Sequence, residues 1–363
     1  MDDSLPSRPR KGRGALGNPT SRFDSESRVV TDDGWQQPGV EDDPPPLRTT
    51  VTVDATRSII ARNDSPDIPF DQSINPYRGC EHGCVYCFAR PTHAYLGLSP
   101  GLDFETRLFA KTAAPALLRA ELMKPGYRCD IIALGANTDP YQPIEREYRI
   151  TRGVLEVLQA FNHPVCVVSK SALVQRDIDI LAAMAAKGLA SVAISITTLD
   201  RDLARCLEPR AATPPRRLET VRALAAAGIP TSVLASPMIP ALNDHELEDI
   251  LAAARGAGAR GAGYVLLRLP LELTQLFEEW LAAHAPGKAK HVMSLIRQSR
   301  EGKSYRAEFG KRMTGTGAYA EMLRLRFDTA CRRLGLNHRR DTMRLDTTQF
   351  RRPPQKGDQL ALF

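Results

Sequence analysis

One loop constrains this chain more than any other stretch. Residues 75–90 read NPYRGCEHGCVYCFAR, with Cys80, Cys84 and Cys87 in a C-x3-C-x2-C spacing. Gly79 and Gly83 each precede a cysteine. Glycine opens backbone conformations closed to other residues, so a short loop can wrap closely around an inorganic core. Three thiolates on one loop can hold three irons of a [4Fe-4S] cube, a cluster that commonly has four cysteine ligands. The fourth iron is then left open. The plainer alternative is a structural zinc site completed by His82 or His93. Zinc sites usually add a second, distant cysteine pair, whereas Cys129, Cys166, Cys206 and Cys331 stand alone. An odd count of 7 cysteines in a long chain argues against a disulfide framework.

The spacing, with Tyr86 just before the third cysteine, resembles the cluster loop of the radical S-adenosylmethionine (SAM) superfamily. The resemblance implies a [4Fe-4S] cluster on Cys80, Cys84 and Cys87, with SAM chelated at the open iron through its amino and carboxylate groups. It further implies one-electron cleavage of the S–C5′ bond to a 5′-deoxyadenosyl radical. An electron donor such as flavodoxin or ferredoxin is then a required partner.

An alternation of apolar runs and helical patterns fills residues 71–270, as expected of a parallel sheet covered by helices. Strands are expected at 73–79, 129–136, 164–170, 190–197, 230–237 and 262–269. Each run is short and nearly continuous, as strands buried on both faces should be. Six such units suggest an α/β architecture, an open, partial (β/α)6 barrel of the TIM type, which the resemblance also implies. A doubly wound open sheet is the alternative. Residues 1–50 carry few apolar side chains and are expected to be mostly a disordered tail. The island KGRGALGNPTSRF at 11–23 is the part able to dock, while 1–10 and 31–46 read as flexible. Residues 51–70 form a pre-strand segment, 271–345 a basic helical extension and 346–363 a flexible tail. Within the extension a helix over Ala318–Leu334 turns Leu323, Phe327, Ala330, Cys331 and Leu334 inward and Arg324, Arg326, Arg332 and Arg333 outward.

Function in such barrels sits at the C-terminal ends of the strands, so the residues after each strand form the candidate set. Tyr86 and Phe88 correspond, by resemblance, to the turn that contacts adenine. After the second strand the Gly-rich acidic triplet common in the superfamily is missing. TDPYQPIE at 138–145 instead resembles the branch related to spore photoproduct lyase. Thr138 and Asp139 can accept hydrogen bonds from an ammonium group. A turn and helix start at Asp139-Pro140 is the plainer reading. The resemblance implies that Lys170 reaches the SAM carboxylate or ribose and that Ser195 is a ribose ligand. Glu208-Pro209-Arg210, followed by Arg217, resembles an E-P-x(n)-R segment of the same branch and suggests an Arg–carboxylate clamp. Asn243 reads as a helix N-cap. Asn137 stands where that lyase has its hydrogen-donor cysteine. An amide cannot quench a carbon radical as a thiol can, so repair of spore photoproduct by that route is not expected. Asn137 is placed in the substrate cavity, and Cys206 is the alternative donor.

The formal net charge is +7, concentrated between Arg297 and Lys356. That excess suits phosphate contacts with nucleic acid and equally a solvated face. No run approaches the ~18 apolar residues of a membrane span, and MDDSLPSRPRKGRG lacks an apolar leader core. A cytoplasmic protein with no membrane partner is expected. Gln359-Leu360-Ala361-Leu362-Phe363 resembles the peptide by which bacterial repair proteins bind the sliding clamp, an apolar anchor on a flexible tether. The expected function is a radical SAM enzyme acting on nucleic acid in the manner of a DNA lesion lyase. Radical modification of RNA or protein is one alternative. A non-enzymatic protein binding DNA or the clamp, with a structural metal, is the other.

Overall fold

The computed structural model describes residues 9–24, 47–338 and 344–354. The clamp-like peptide Gln359–Phe363 and the 31–46 segment lie outside the described residues. The described residues form ten strands: β1 (Thr50–Val53), β2 (Ala61–Arg62), β3 (Gln72–Ile74), β4 (Tyr77–Arg78), β5 (Arg107–Ala110), β6 (Ile132–Leu134), β7 (Val165–Ser169), β8 (Ala190–Ser195), β9 (Thr231–Met238) and β10 (Gly261–Leu266).

Seven of them make one sheet in the spatial order β10-β9-β8-β7-β6-β3-β2. The six from β3 to β10 pair in parallel, and β2 adds an antiparallel edge. Each new strand lies beside the previous one, with no reversal. A doubly wound sheet would reverse its order at a switch point, so this is the partial barrel, open between β10 and β2. The apolar runs explain the core: all six residues of β8 are buried, and the helix Ile150–Ala160 turns Ile150, Val154, Leu155 and Leu158 onto the sheet.

Two expectations need correction. The first strand, expected at 73–79, stops at Ile74. Pro76 has no N–H to give a ladder, and Tyr77–Arg78 pairs instead with β5 in a small separate sheet of order β1-β5-β4. The second strand, expected at 129–136, shrinks to Ile132–Leu134. The island at 11–23, read as the part able to dock, packs on the core. Arg13, Gly14, Ala15 and Leu16 are all buried, and the Leu102 N–H donates to the Gly17 carbonyl at 3.1 Å.

The extension is not peripheral. Helices Leu273–His284 and Pro286–Gln298 bury Phe277, Trp280, Leu281 and Ile296 in a second core shared with Ala15, Val85, Tyr86 and Leu207. The helix Gly317–Leu334 places Leu323, Phe327, Ala330 and Cys331 inward, and Phe327 meets Tyr264 of β10 with ring centroids 4.8 Å apart. On its outer face Arg326 grips Glu248, and Arg324 pairs with Glu321 and Asp328. Part of the basic charge is therefore neutralised locally.

Candidate active site

The cysteine loop leaves β4 and is held by backbone bonds at each turn. The Cys80 N–H donates to the Phe104 carbonyl at 2.9 Å and the Cys87 N–H to the Cys84 carbonyl at 3.2 Å. Gly83 has φ +68°, and a Cβ there would lie 2.8 Å from the Glu105 carboxylate. That position demands glycine twice over, by conformation and by space. Arg90 anchors the loop from behind. Its guanidinium donates to the carbonyls of Cys84, Gly83, Pro100 and Gly101, and it pairs with Glu105. Both side chains of that pair are wholly buried. Glu105 also accepts the Gly14 and Ala15 N–H groups at 3.0 and 2.8 Å. The N-terminal strap therefore locks onto the loop through this one carboxylate.

Cys80 and Cys84 are buried and Cys87 half-buried, all three as free thiols. Burial, then Asp139 and the other two cysteines, push the Cys80 thiol well above its ordinary range. Burial, then Glu208, push Cys84 up to about 12. A buried trio of this kind suits a cationic cluster, whose binding releases the thiol protons. Among the described residues no three His, Cys, Asp or Glu side chains converge on one point, as a single ion requires. A cube distributes its thiolates over separate irons. Of the two histidines offered for zinc, His82 Nδ1 faces Asp139 at 3.4 Å and His93 Nε2 contacts the Arg107 carbonyl at 2.9 Å, while His93 Nδ1 is buried without a partner among the described residues.

Beside the thiols, β7, β8 and the loop after helix Arg201–Leu207 bring together Tyr86, Lys170, Ser195, Thr197 and Glu208. Lys170 Nζ donates to Ser195 Oγ at 2.9 Å and lies 5.8 Å from the Tyr86 ring centroid. Ser195 Oγ donates in turn to the Ser236 carbonyl at 3.1 Å. The Tyr86 hydroxyl donates to Glu208. Burial, then Cys84 and Glu208, hold that phenol far above its ordinary pKa, so it stays protonated. Burial alone would raise the Glu208 pKa; Arg217, then Lys170, outweigh it and bring it from 4.5 to about 2.

The remaining candidates fall differently. The clamp suggested by Glu208 and its arginines closes within the protein: Glu208 pairs with Arg217, not Arg210. Arg210 turns to Glu81 at 3.2 Å. Asp139 accepts from Ser169 Oγ, the Lys170 N–H and the Tyr141 N–H at 2.8, 2.7 and 2.9 Å, so its oxygens already organise the strand ends. Thr138 is buried and donates to the Tyr77 carbonyl. Asn137 is exposed, its N–H held by Asn75. Cys206 is half-buried against the second core, and its carbonyl accepts the Trp280 indole N–H at 3.1 Å. Phe88 is exposed, with the Arg268 guanidinium 5.0 Å from its ring centroid. Asn243 sits at the N-cap position of the short turn Asp244–Glu246, but its side chain does not cap it: it is fully buried, and its amide donates to the carbonyls of Thr197 and Pro237. Sequence reasoning missed Arg90, Glu105 and Arg268, none of which sits in a spaced motif. Next to His82, a cavity of about 360 Å³ is lined by Tyr141, Ser171, Arg146, Arg210 and Arg216.

Comparison with known proteins gives a consistent result. The family model described as the radical SAM superfamily matches residues 74–254. An uncharacterized protein of Mycobacterium tuberculosis is 39% identical over 233 residues, 64% of this chain and 68% of the relative. An uncharacterized protein of Methanocaldococcus jannaschii is 27% identical over 173 residues, 48% of this chain and 62% of its own length. Among solved structures, spore photoproduct lyase complexed with dinucleoside spore photoproduct superposes with a TM-score of 0.54 at 15% identity, covering 79% of this chain and 80% of that one. A mutant of the same lyase with bound AdoMet and the dinucleoside gives 0.55 at 15% identity, with the same coverage. The likeness to the lyase is one of fold. With its three-cysteine loop at the mouth of a six-unit partial barrel, this chain belongs to the radical SAM superfamily.

Proposed function

We propose that this radical SAM protein acts on nucleic acid, as a lyase-type enzyme of damaged DNA. The observation that carries the cofactor half is the Lys170–Ser195–Tyr86 group built against the three thiols. Cys80, Cys84 and Cys87 would hold a [4Fe-4S] cluster with one iron open to SAM. Such a cluster, given one electron by a flavodoxin- or ferredoxin-type donor, would supply reductive cleavage of SAM for hydrogen abstraction. Lys170 and Ser195 offer an ammonium and a hydroxyl to the SAM carboxylate or ribose. Tyr86 stays neutral and fixed by Glu208, giving a rigid wall rather than a titrating group.

Two features support nucleic acid as the substrate. The fold shared with a lyase solved on a dinucleoside lesion spans 79% of this chain. The cavity beside the cysteine loop is rimmed by Arg146, Arg210 and Arg216; Arg210 and Arg216 pair with Glu81 and Glu219, while Arg146 forms no ion pair among the described residues and suits a phosphate. Asn137 offers no thiol, so a hydrogen donor would come from elsewhere, with Cys206 the candidate on this chain.

The test is anaerobic. Reconstituted protein is given dithionite and SAM, with ultraviolet-irradiated DNA, intact DNA or RNA, and 5′-deoxyadenosine is measured. Wild type should form it, most with irradiated DNA, and Cys80→Ala should not. Equal product with every nucleic acid and with none would sink the DNA reading. No product from cluster-loaded wild type under any condition would sink the enzymatic one.

A further inference from the structure

Among the described residues, two arginines at the exit of β10 have no acidic partner. Arg268 lies two residues past Leu266, on the rim where the parallel strands end. Its guanidinium sits over Phe88, the residue after Cys87. Its Nε is buried with no hydrogen-bond acceptor among the described residues. Its other contacts are weak: Met313 Sδ at 3.4 Å and the Tyr305 hydroxyl at 3.5 Å. Behind it, Arg300 is 1% exposed. Arg300 donates to four backbone carbonyls, those of Lys311, Arg312, Leu266 and Leu267, and its Nε has no partner. Burial, then Arg268, bring the Arg300 pKa down to about 10, which leaves it charged at neutral pH.

Acids are not scarce nearby, yet they are used elsewhere. Glu301 and Glu308 take Arg306 and Lys311, and Asp67 takes Arg312. Among the described residues no carboxylate forms an ion pair with Arg268 or Arg300. A buried cation beside a half-buried one, neither with an acidic partner among the described residues, disfavours the folded chain. An anion arriving from outside would relieve that cost. A guanidinium fork matches a phosphate oxygen pair, and the Tyr305 hydroxyl adds a further donor.

We infer that Arg268, backed by Arg300 and flanked by Phe88 and Tyr305, anchors a phosphodiester of the nucleic-acid substrate at the β10 rim. This rests on the nucleic-acid reading above. It makes Arg268 a substrate-binding residue on the side of the cysteine loop away from the Arg146–Arg210–Arg216 cavity.

Binding of a fluorescein-labelled single-stranded DNA, irradiated or not, to cluster-loaded protein with SAM tests it by anisotropy across a salt series. Arg268→Gln should weaken binding roughly tenfold, about 1.4 kcal/mol. Losing one phosphate contact should also make the slope of log affinity against log salt shallower by about 0.7. Arg268→Lys should recover the slope but not the full affinity, because a lysine is a point charge without the fork. Wild type that binds with Arg268→Gln unchanged in affinity and slope would overturn this inference alone. Wild type that binds no nucleic acid would overturn it together with the nucleic-acid reading. Weaker SAM binding by Arg268→Gln in equilibrium dialysis, with DNA binding unchanged, would overturn it by giving the guanidinium to the cofactor carboxylate. Should the variant not fold, wild type is measured against DNA carrying one methylphosphonate at each position in turn. One position should cost roughly tenfold, again about 1.4 kcal/mol; a uniform profile would overturn the anchor.

Discussion

Among the described residues three arginines, Arg90, Arg217 and Arg300, are no more than 1% exposed, and they live in two kinds of surroundings. On the cysteine-loop side, Arg90 meets Glu105 and Arg217 meets Glu208, each pair shut away from water. At the β10 exit, Arg300 donates to four backbone carbonyls, and among the described residues neither it nor its neighbour Arg268 pairs with an acid. A buried ion pair adds little net stability, but removing one partner costs about 3–5 kcal/mol because the other charge is left stranded. The first region therefore uses its arginines to hold a loop in one shape. The second carries charge that the fold itself does not use, as expected of a surface completed by a ligand.

The largest effect should come from breaking the Arg90 pair. Arg90→Met strands Glu105 and frees the Gly83 and Cys84 carbonyls. The expected cost is about 3–5 kcal/mol, read by urea unfolding, with a fall in iron bound per chain after reconstitution. The double change Arg90→Met with Glu105→Met should recover only part of it, since the Gly14 and Ala15 N–H groups would lose their acceptor. Unchanged iron content in Arg90→Met would mean that the pair does not shape the loop.

Glu208→Gln turns Arg217 into a second Arg300, a buried cation with only neutral acceptors. The expected loss is about 3 kcal/mol. Tyr86 and Thr197, both bonded to Glu208, would loosen with it, so SAM affinity should fall alongside stability. A drop in stability with SAM affinity intact would separate the pair from the cofactor wall. A smaller effect is expected at the strap. A Cβ on Gly14 would lie 1.8 Å from the Gly83 carbonyl oxygen, so Gly14→Ala must lift the strap off the loop. Its two N–H bonds to Glu105 would be lost, at about 1–2 kcal/mol in total. Residues 10–24 should then be cut faster by protease, and equal cutting rates would show that the strap is not held there.

The parts of this arrangement that the sequence made legible are local. Three cysteines within one loop, and apolar runs the length of a strand, repeat at spacings a reader can see. The charge pairs are not local. Arg90 and Glu105 are 15 residues apart, and Gly14 is 91 residues from the carboxylate that receives it. The island at 11–23 reads as able to dock, but not where: glycine at 14 lets two backbones touch. Glu208 and Arg217 were recognised as a clamp, but their motif could not show that they would close on each other. Asp139 and Thr138 were expected to face a ligand, yet hydrogen bonds across the strand ends already occupy them. Composition marked the last third as basic without separating Arg324 and Arg326, which are paired, from Arg268 and Arg300, which are not.

The smallest effect sharpens the comparison most. Removing the Arg268 charge should hardly change stability, because no carboxylate is stranded by its loss. Its stacking on Phe88 contributes roughly 0.5–1 kcal/mol at a site this open. Relief of its repulsion with Arg300 acts in the opposite direction. Arg268→Gln should therefore lie within about 1 kcal/mol of wild type in urea unfolding, an order typical of side chains outside a packed network. Phosphate should reveal what is missing. An anion that binds only the folded state raises its stability with concentration, so added phosphate should raise the wild-type Tm more than that of Arg268→Gln. At Arg90→Met, by contrast, phosphate should restore nothing, since the vacated space is walled by carbonyls and a carboxylate. A large stability loss in Arg268→Gln would place this arginine with Arg90 and Arg217 as a structural residue and erase the distinction between the two regions.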